Sequence, residues 1–482
     1  MADTQGGVTY MRDDYARAVP ERDLVGDVCD GQRAVKGKKA AYLPIPNPTD
    51  NSPENAARYA QYLDRAVFYG ATGRTLQGLV GAAFRKAPQF NVPTGLEYMG
   101  KDADGSGVSI YQQSQSCLAG VLQFGRMFLF ADYPQRGEGE QTSRAQQAAG
   151  LIRASLVTAK AKNVINWRTV QVGGVHRIGL VVIEECYTEI SEDGFSVESK
   201  TQYRVLKLEG GFYKVEIWRA PDKGSFGIWS EYFPRDGAGR NWEYIPGTFV
   251  GAENNDTKID RAPLADLAHL NIAHYRNSAD YEDSAFMVGQ PQPWVSGLTE
   301  QWRDWLCEKK FYVGSRSMLP VPTDGAFGFA QVEPNTMVKE AMDQKERQMV
   351  ALGARLIQPG SAVKTATEVQ SDNEAEHSVL SLAAENVSEA YTMALQWAAR
   401  FENVDDDVEY SLNQEFVEAR LDAQLLTALI TGWQAGRLPS SDLWTQLRKY
   451  GVIDADKTDE EIREELETEG AGLNLDDVSG EG

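Results

Sequence analysis

The chain has 482 residues, 42% of them hydrophobic and 10% aromatic, which excludes wholesale disorder; its length predicts roughly two to four structural units rather than one core. Seventy acidic against 48 basic residues leave a formal net charge of -22, excluding a molecule-wide electrostatic grip on nucleic acid, although a passage through which DNA slides benefits from weak adhesion. Cys29, Cys117, Cys186 and Cys307 are far apart and form no C-x-x-C pair, so free thiols in a reducing compartment are expected. With no signal-peptide core and no run of about 18 apolar residues, the expectation is a cytoplasmic product without a membrane span.

Residues 1 to about 52, rich in charge, Gly and Pro, read as an extended arm of the kind that lies on a neighbour, ending at a helix cap at Ser52-Pro53. From Ala56 to Lys86, Ala56, Tyr59, Leu63 and Val67 stand at helical steps, predicting two helices separated by Gly70-Ala71-Thr72-Gly73. A third helix is predicted from Val108 to Leu122, followed by the buried-strand signature RMFLFADYP ending at Pro134. From about 153 to 252 the sequence turns β-branched and aromatic, predicting a mainly antiparallel sheet with Gly210-Gly211 as a hairpin turn.

Helical periodicity then returns. Asp260 serves as cap, Pro263 sits near the first turn, and Leu264, Leu267, Leu270, His274, Ser278 and Tyr281 predict one long helix over 262–288. Residues 289–334, with several Pro, Gly and aromatics, read as a small α/β module between helices. A second long helix spans Thr336 to Ile357, with Val338, Met342, Met349, Leu352 and Leu356 on one stripe; at 1.5 Å per residue it measures about 33 Å. Pro359-Gly360-Ser361 interrupts it, and a longer helix is predicted over 367–402, then a strand within 403–414 and a helical hairpin over 415–451 turning at Gly436 and Pro439. The acidic end becomes disordered near Gly470.

Motifs for chemistry are sparse. Nothing matches G-x-x-x-x-G-K-[ST], and neither DGSG (104–107) nor RGEG (136–139) sits between a strand and a helix, which weighs against a nucleotide-driven motor. His176, His269, His274 and His377 are scattered, and the five-residue step between His269 and His274 does not align two metal ligands, so packing or surface histidines are expected. Glu184 and Glu185, adjacent on a strand, point to opposite faces and read as a solvated strand edge rather than an acid/base pair. Trp218, Trp229, Tyr232, Phe233 and Trp242 suit a core better than a sugar platform. No cofactor, metal or catalytic residue is expected.

The phrases NVINWR (163–168), LADLAHLNIAHYRNSADYED (264–283) with the following PQPWVSGL, and QMVALGARLIQPGSAVKTATEV (348–369), in this order of parts, resemble the portal proteins of tailed bacteriophages, over roughly 55 to 450. The resemblance implies an α+β portal fold: wing over 55–260 and 367–414, stem helices over 261–288 and 335–357, clip over 289–334, tunnel loop over 358–366 and crown over 415–470. The arm (1–54) and the disordered acidic tail (471–482) match no part of the family pattern. It further implies a homo-oligomeric ring of twelve at one capsid vertex of the virion, assembled in the host cytoplasm, through which double-stranded DNA is packaged and ejected. Implied partners are terminase, a head-tail adaptor, and the major capsid and scaffold proteins. In this family the break after the second stem helix projects into the channel; here it is Gln358, Pro359, Gly360, Ser361, Ala362, Val363 and Lys364, slim enough to approach a duplex, with Gln358, Ser361 and Lys364 able to touch phosphates without reading bases. Read without the family, Pro359-Gly360 is an ordinary helix–helix turn. Gln344, Arg347 and Arg355 either line the channel or, for the arginines, pair with Glu340, Asp343 or a neighbouring subunit. Trp294, Trp302, Trp305 and Arg316 are the expected partner surface of the clip. The rivals are another virion adaptor or connector, and a hydrolase using carboxylates of the β-rich region.

Overall fold

A computed structural model describes residues 7–133, 153–191, 193–220, 224–289, 292–309, 321, 323–330, 336–357, 378–414, 416, 430–431, 433, 437–449, 453 and 457–470. The chain divides into two units, 1–414 and 415–482.

The amino-terminal segment departs from expectation. Instead of an extended arm it forms α1 (Asp13–Asp30) and α2 (Gln32–Gly37), and Tyr15, Val25, Val28 and Val35 are buried. Most apolar residues of α1 and α2 are covered, which the many charges conceal in composition. The buried Arg22 is tolerated because it donates to the Phe124 and Ala161 carbonyls at 3.2 and 3.3 Å. Next come α3 (Pro53–Arg65), capped by the Ser52 hydroxyl, and α4 (Ala71–Ala83). Ala71-Thr72-Gly73, expected as a separator, are the first turn of α4; the break falls at 66–70.

After β1 (Gln89–Asn91), α5 (Ile110–Phe124) opens with a reciprocal capping box between Ser109 and Gln112. β2 (Arg126–Asp132) lies between β3 (Ser155–Lys160) and the later β9 (Gly247–Gly251), all antiparallel. Phe128, Phe130 and Phe249 pack here with ring centroids 5.0–5.8 Å apart, forming the centre of the core.

A second sheet is a five-stranded antiparallel meander, β4 (Val164–Val172), β5 (Val175–Ile190), β6 (Val197–Glu209), β7 (Phe212–Arg219) and β8 (Gly227–Tyr232). Glu209 pairs with Phe212 across Gly210-Gly211, whose φ of 61° and 86° are the left-handed values a two-residue primed turn requires. Glu184 and Glu185 stand just past the last β4–β5 pair, so they lie at a strand edge as expected, but half-buried rather than solvated. Glu185 accepts from Arg204 (2.8 Å) and Gln202 (3.0 Å), and Glu184 accepts from Tyr203 (3.3 Å), so both carboxylates hold the sheet together. The aromatic group divides: Trp242 is fully buried, whereas Trp229 is 63% exposed.

α6 (Ala265–Val288) leads to the insertion, where β10 (Gln292–Val295) and β11 (Phe327–Ala330) form an antiparallel pair around α7 (Glu300–Lys309). α8 (Thr336–Arg355) and α9 (Val379–Glu402) follow. A continuous helix over 367–402 is not formed: Ser378 is an extended N-cap whose hydroxyl accepts the Ser381 N–H at 3.1 Å, so α9 starts at Val379. Residues 367–377 lie outside the described residues. α9 packs on α5, β2 and β9 and ends at Asn403, in left-handed conformation. β12 (Glu409–Ser411) pairs with β1.

In the second unit, α10 (Ser440–Lys449) and α11 (Asp459–Gly470) bury Leu443, Trp444 and Ile462, and Arg448 pairs with Asp459. Most of the hairpin expected over 415–451, including Gly436, lies outside the described residues, as does 471–482. The α+β class expected from sequence is the one the chain adopts.

Candidate functional site

The paired long helices α6 and α8 are positioned by polar side chains that do backbone work. The connection between α3 and α4 has peptide groups with no ladder to join, and α6 supplies their partners. Asn271 donates to the Tyr69 carbonyl (2.6 Å) and accepts from the Thr72 N–H (3.2 Å) and hydroxyl (3.0 Å). Ser278 donates to the Val67 carbonyl at 2.6 Å and accepts the Val67 N–H at 3.2 Å. Further along, the Tyr62 hydroxyl donates to Asp280 (2.6 Å), and Arg65 bonds Asp283 (2.7 Å) with its guanidinium 4.2 Å from the Phe286 ring centre. Burial and the Asp280 carboxylate both push the Tyr62 hydroxyl pKa upward, so it stays a proton donor.

α8 returns alongside α6, and its less exposed positions include Val338, Met342, Lys345, Met349 and Leu352, with Leu356 just past its end, steps of four and three that run through the covered face. The stripe read from sequence is thus the covered one. Near its middle, His274 Nε2 lies 3.2 Å from Glu346 Oε1, joining the two helices, while the buried Nδ1 has no partner among the described residues. Burial lowers the His274 pKa, and the facing Glu346 carboxylate opposes that shift.

Gln344, Arg347 and Arg355 are exposed, on a flank of α8 away from the seam. Among the described residues no ion pair joins either arginine to Glu340 or Asp343. Gln358, Pro359, Gly360, Ser361, Ala362, Val363 and Lys364 lie outside the described residues. The points where the chain leaves α8 and enters α9 do meet, since the Leu380 N–H donates to the Leu356 carbonyl at 3.1 Å.

In the insertion, Trp294 is 44% exposed and lies across Gly328, where a Cβ would come within 2.9 Å of its ring. Trp302 and Trp305 meet edge to face at 5.3 Å, with Trp305 partly exposed. They are on α7, whereas Trp294 is on β10, and Arg316 lies outside the described residues. Sequence reading missed Asn271 as an anchor and the His274–Glu346 contact. The available signal was the polar pair His274 and Ser278 on an otherwise apolar helix stripe. Among the described residues no cluster of three or more His, Cys, Asp or Glu is placed to hold a metal.

Residues 263–402 match a family model described as a domain of unknown function, DUF4055. No curated protein matches the chain. Its structural neighbours include a chain from the neck of a native GTA particle computed with C12 symmetry, 12% identical, covering 86% of this chain and 99% of that one with a TM-score of 0.39. Another comes from the neck of an empty GTA particle computed with C6 symmetry, 12% identical, covering 87% and 99% with a TM-score of 0.38.

Proposed function

We propose that this chain is the portal subunit of a tailed-phage-type particle, assembling in a ring, twelve copies in the reading taken from the resemblance, that forms a conduit for double-stranded DNA at a capsid vertex. The observation that carries the reading is α8: a 20-residue helix with one buried residue, Met349, and with Met337 and Val350 more than 70% exposed. A helix covered on one seam alone gains little of its stability from its own subunit, and neighbouring copies standing beside it supply the missing contacts. The α6–α8 pair is clamped to the body along α6, and the insertion joins the end of α6 to the start of α8. That order agrees with the stem and clip layout that the resemblance implies.

In this reading the protein is a conduit without catalytic residues, and a separate packaging ATPase, followed later by adaptor proteins, docks on the insertion around Trp294, Trp302, Trp305 and Arg316. The loop Gln358–Lys364 meets the duplex backbone, and Lys364, repeated around the ring, centres DNA loosely inside an acidic body. End-on images of the purified protein test the ring, and solid, axis-free particles count against it. Deleting Pro359 to Val363 is expected to leave rings intact while lowering packaged or retained DNA. Full-length packaged DNA from that variant removes the loop from the account.

A further inference from the structure

Within the five-stranded sheet the β4–β5 hairpin and the far end of the β5–β6 pair carry opposite charge. At one end β4 turns into β5 through Gly173-Gly174, with Val172 and Val175 paired across the turn and 45% and 57% exposed. From Val164 to Ile183 the chain contains Arg168, His176 and Arg177 and not one Asp or Glu. Arg168 and His176 are exposed.

At the other end β5 and β6 run on as a two-stranded ribbon. β4 stops pairing at Ile183 and β7 at Gln202, so among the described residues Cys186–Ile190 and Val197–Thr201 pair in a ladder only with each other. Residues 184–201 hold six acids, with Lys200 as the one base. The ribbon has two unlike faces. Cys186, Thr188 and Ile190 pair with Thr201, Ser199 and Val197 on an uncharged face that is exposed throughout. On the other face Glu189 and Glu198 share Lys200, at 2.8 and 3.7 Å.

The turn at the ribbon tip is a built structure. Ser191 N–H donates to the Ser196 carbonyl and Gly194 N–H to the Ser191 carbonyl, each at 2.9 Å. The Asp193 carboxylate accepts the Phe195 N–H at 3.0 Å. These bonds hold out Phe195, which is 93% exposed beside Ile190 at 70% and Val197 at 65%. A two-stranded ribbon without a core is marginal in water, and a fixed apolar tip on it marks a contact surface.

We propose that the ribbon of one copy seats on the β4–β5 end of the sheet in the next copy, with Ile190, Phe195 and Val197 covering Val172 and Val175. A second copy is the occupant because the two ends match in charge and in apolar character. They cannot meet within one chain, because both belong to β5, whose 16 residues hold them about 50 Å apart. Copies of net charge -22 repel one another at long range, but beyond roughly 8 Å that repulsion is screened at physiological salt, so local pairing of opposite ends decides the contact. Exposed ion pairs add little adhesion, so the apolar tip supplies cohesion and the charges set partner and register. Contact between two different surfaces propagates head to tail, and such a series either closes into a ring or continues as a filament. Closure rests on the ring reading above; the pairwise contact does not.

The test is sedimentation velocity of the full chain over a range of concentrations, at low and high salt. Three variants are compared with wild type: Glu189→Arg with Glu198→Arg, Arg168→Glu with His176→Glu, and all four together. All four sites are exposed, and circular dichroism checks that the fold is kept. Each reversal alone is expected to raise the concentration needed for association by about tenfold, with the four-site variant restoring it; Phe195→Ser weakens association at both salts. Wild-type rings insensitive to both reversals and to Phe195→Ser overturn the ribbon contact and leave the ring standing. Single reversals that weaken association without rescue in the four-site variant also overturn it, because the two ends then do not meet each other. Wild-type dimers or open chains that follow the charge pattern support the contact and overturn the ring, and a monomer at every concentration overturns both.

Discussion

α8 and α9 are consecutive long helices of 20 and 24 residues with opposite fates. α9 buries fourteen residues, and its Ala383, Ala384, Ala390, Ala394 and Ala398 let the backbone come close to β2, β9 and α5. α8 buries one. The difference teaches that α9 is stabilised by packing within its own chain, whereas α8 has side chains to spare for contacts outside it.

That contrast has consequences of graded size. Leu395→Ala, at a fully buried site, is expected to cost about 2–5 kcal/mol in denaturant unfolding, because the helix is fixed on a sheet and cannot collapse into the void. A loss well below 1 kcal/mol would break the view that α9 is core. Ser378→Ala removes the hydroxyl that caps α9 and is expected to cost about 1 kcal/mol in the same assay. At the other extreme, Val350→Ser on α8, 72% exposed, should change subunit stability by less than about 0.5 kcal/mol. If it weakens assembly while leaving the subunit unchanged, the contrast sharpens; equal effects on both would blur it.

Between these lies a pH effect at the α6–α8 contact. His274 has a folded-state pKa below its ordinary value, with burial the larger cause and the Glu346 contact opposing it. The unfolded chain therefore takes up this proton first as pH falls. The contribution is complete above the ordinary histidine pKa of about 6.5 and is lost below it. Thermal melts should show wild type losing more stability than His274→Gln between about pH 7 and pH 5.5. A larger loss in the variant would mean that pairing with Glu346 outweighs burial.

Much of the fold was legible in the linear pattern. Leu264 through Tyr281 marked α6, the Val338–Leu356 stripe marked the seam of α8, and Gly210-Gly211 marked the β6–β7 turn, because each depends on neighbours a few residues away. The amino-terminal helices were not legible. Val25, Val28 and Val35 are few, and what buries them lies in distant sequence, including the packing of α1 on α5 and on α6. The start of α9 was missed because helical periodicity does not distinguish a continuing helix from a new one capped by Ser378. In the candidate site, the two helices and the break between α8 and α9 could be read, but not the anchoring by Asn271 and Ser278. Their partners are backbone groups of residues 67–72, about 200 positions away.

By itself the sequence determined the α+β class and the places of α6 and α8, since propensity, periodicity and turn chemistry act over one or two turns. Tertiary structure alone decided which helix is sealed and which is left exposed, that Glu184 and Glu185 brace β5 against β6, and that one sheet ends in an acidic ribbon and a cationic hairpin. These depend on register and on contacts between segments far apart in the chain, where burial rather than local preference selects the partner.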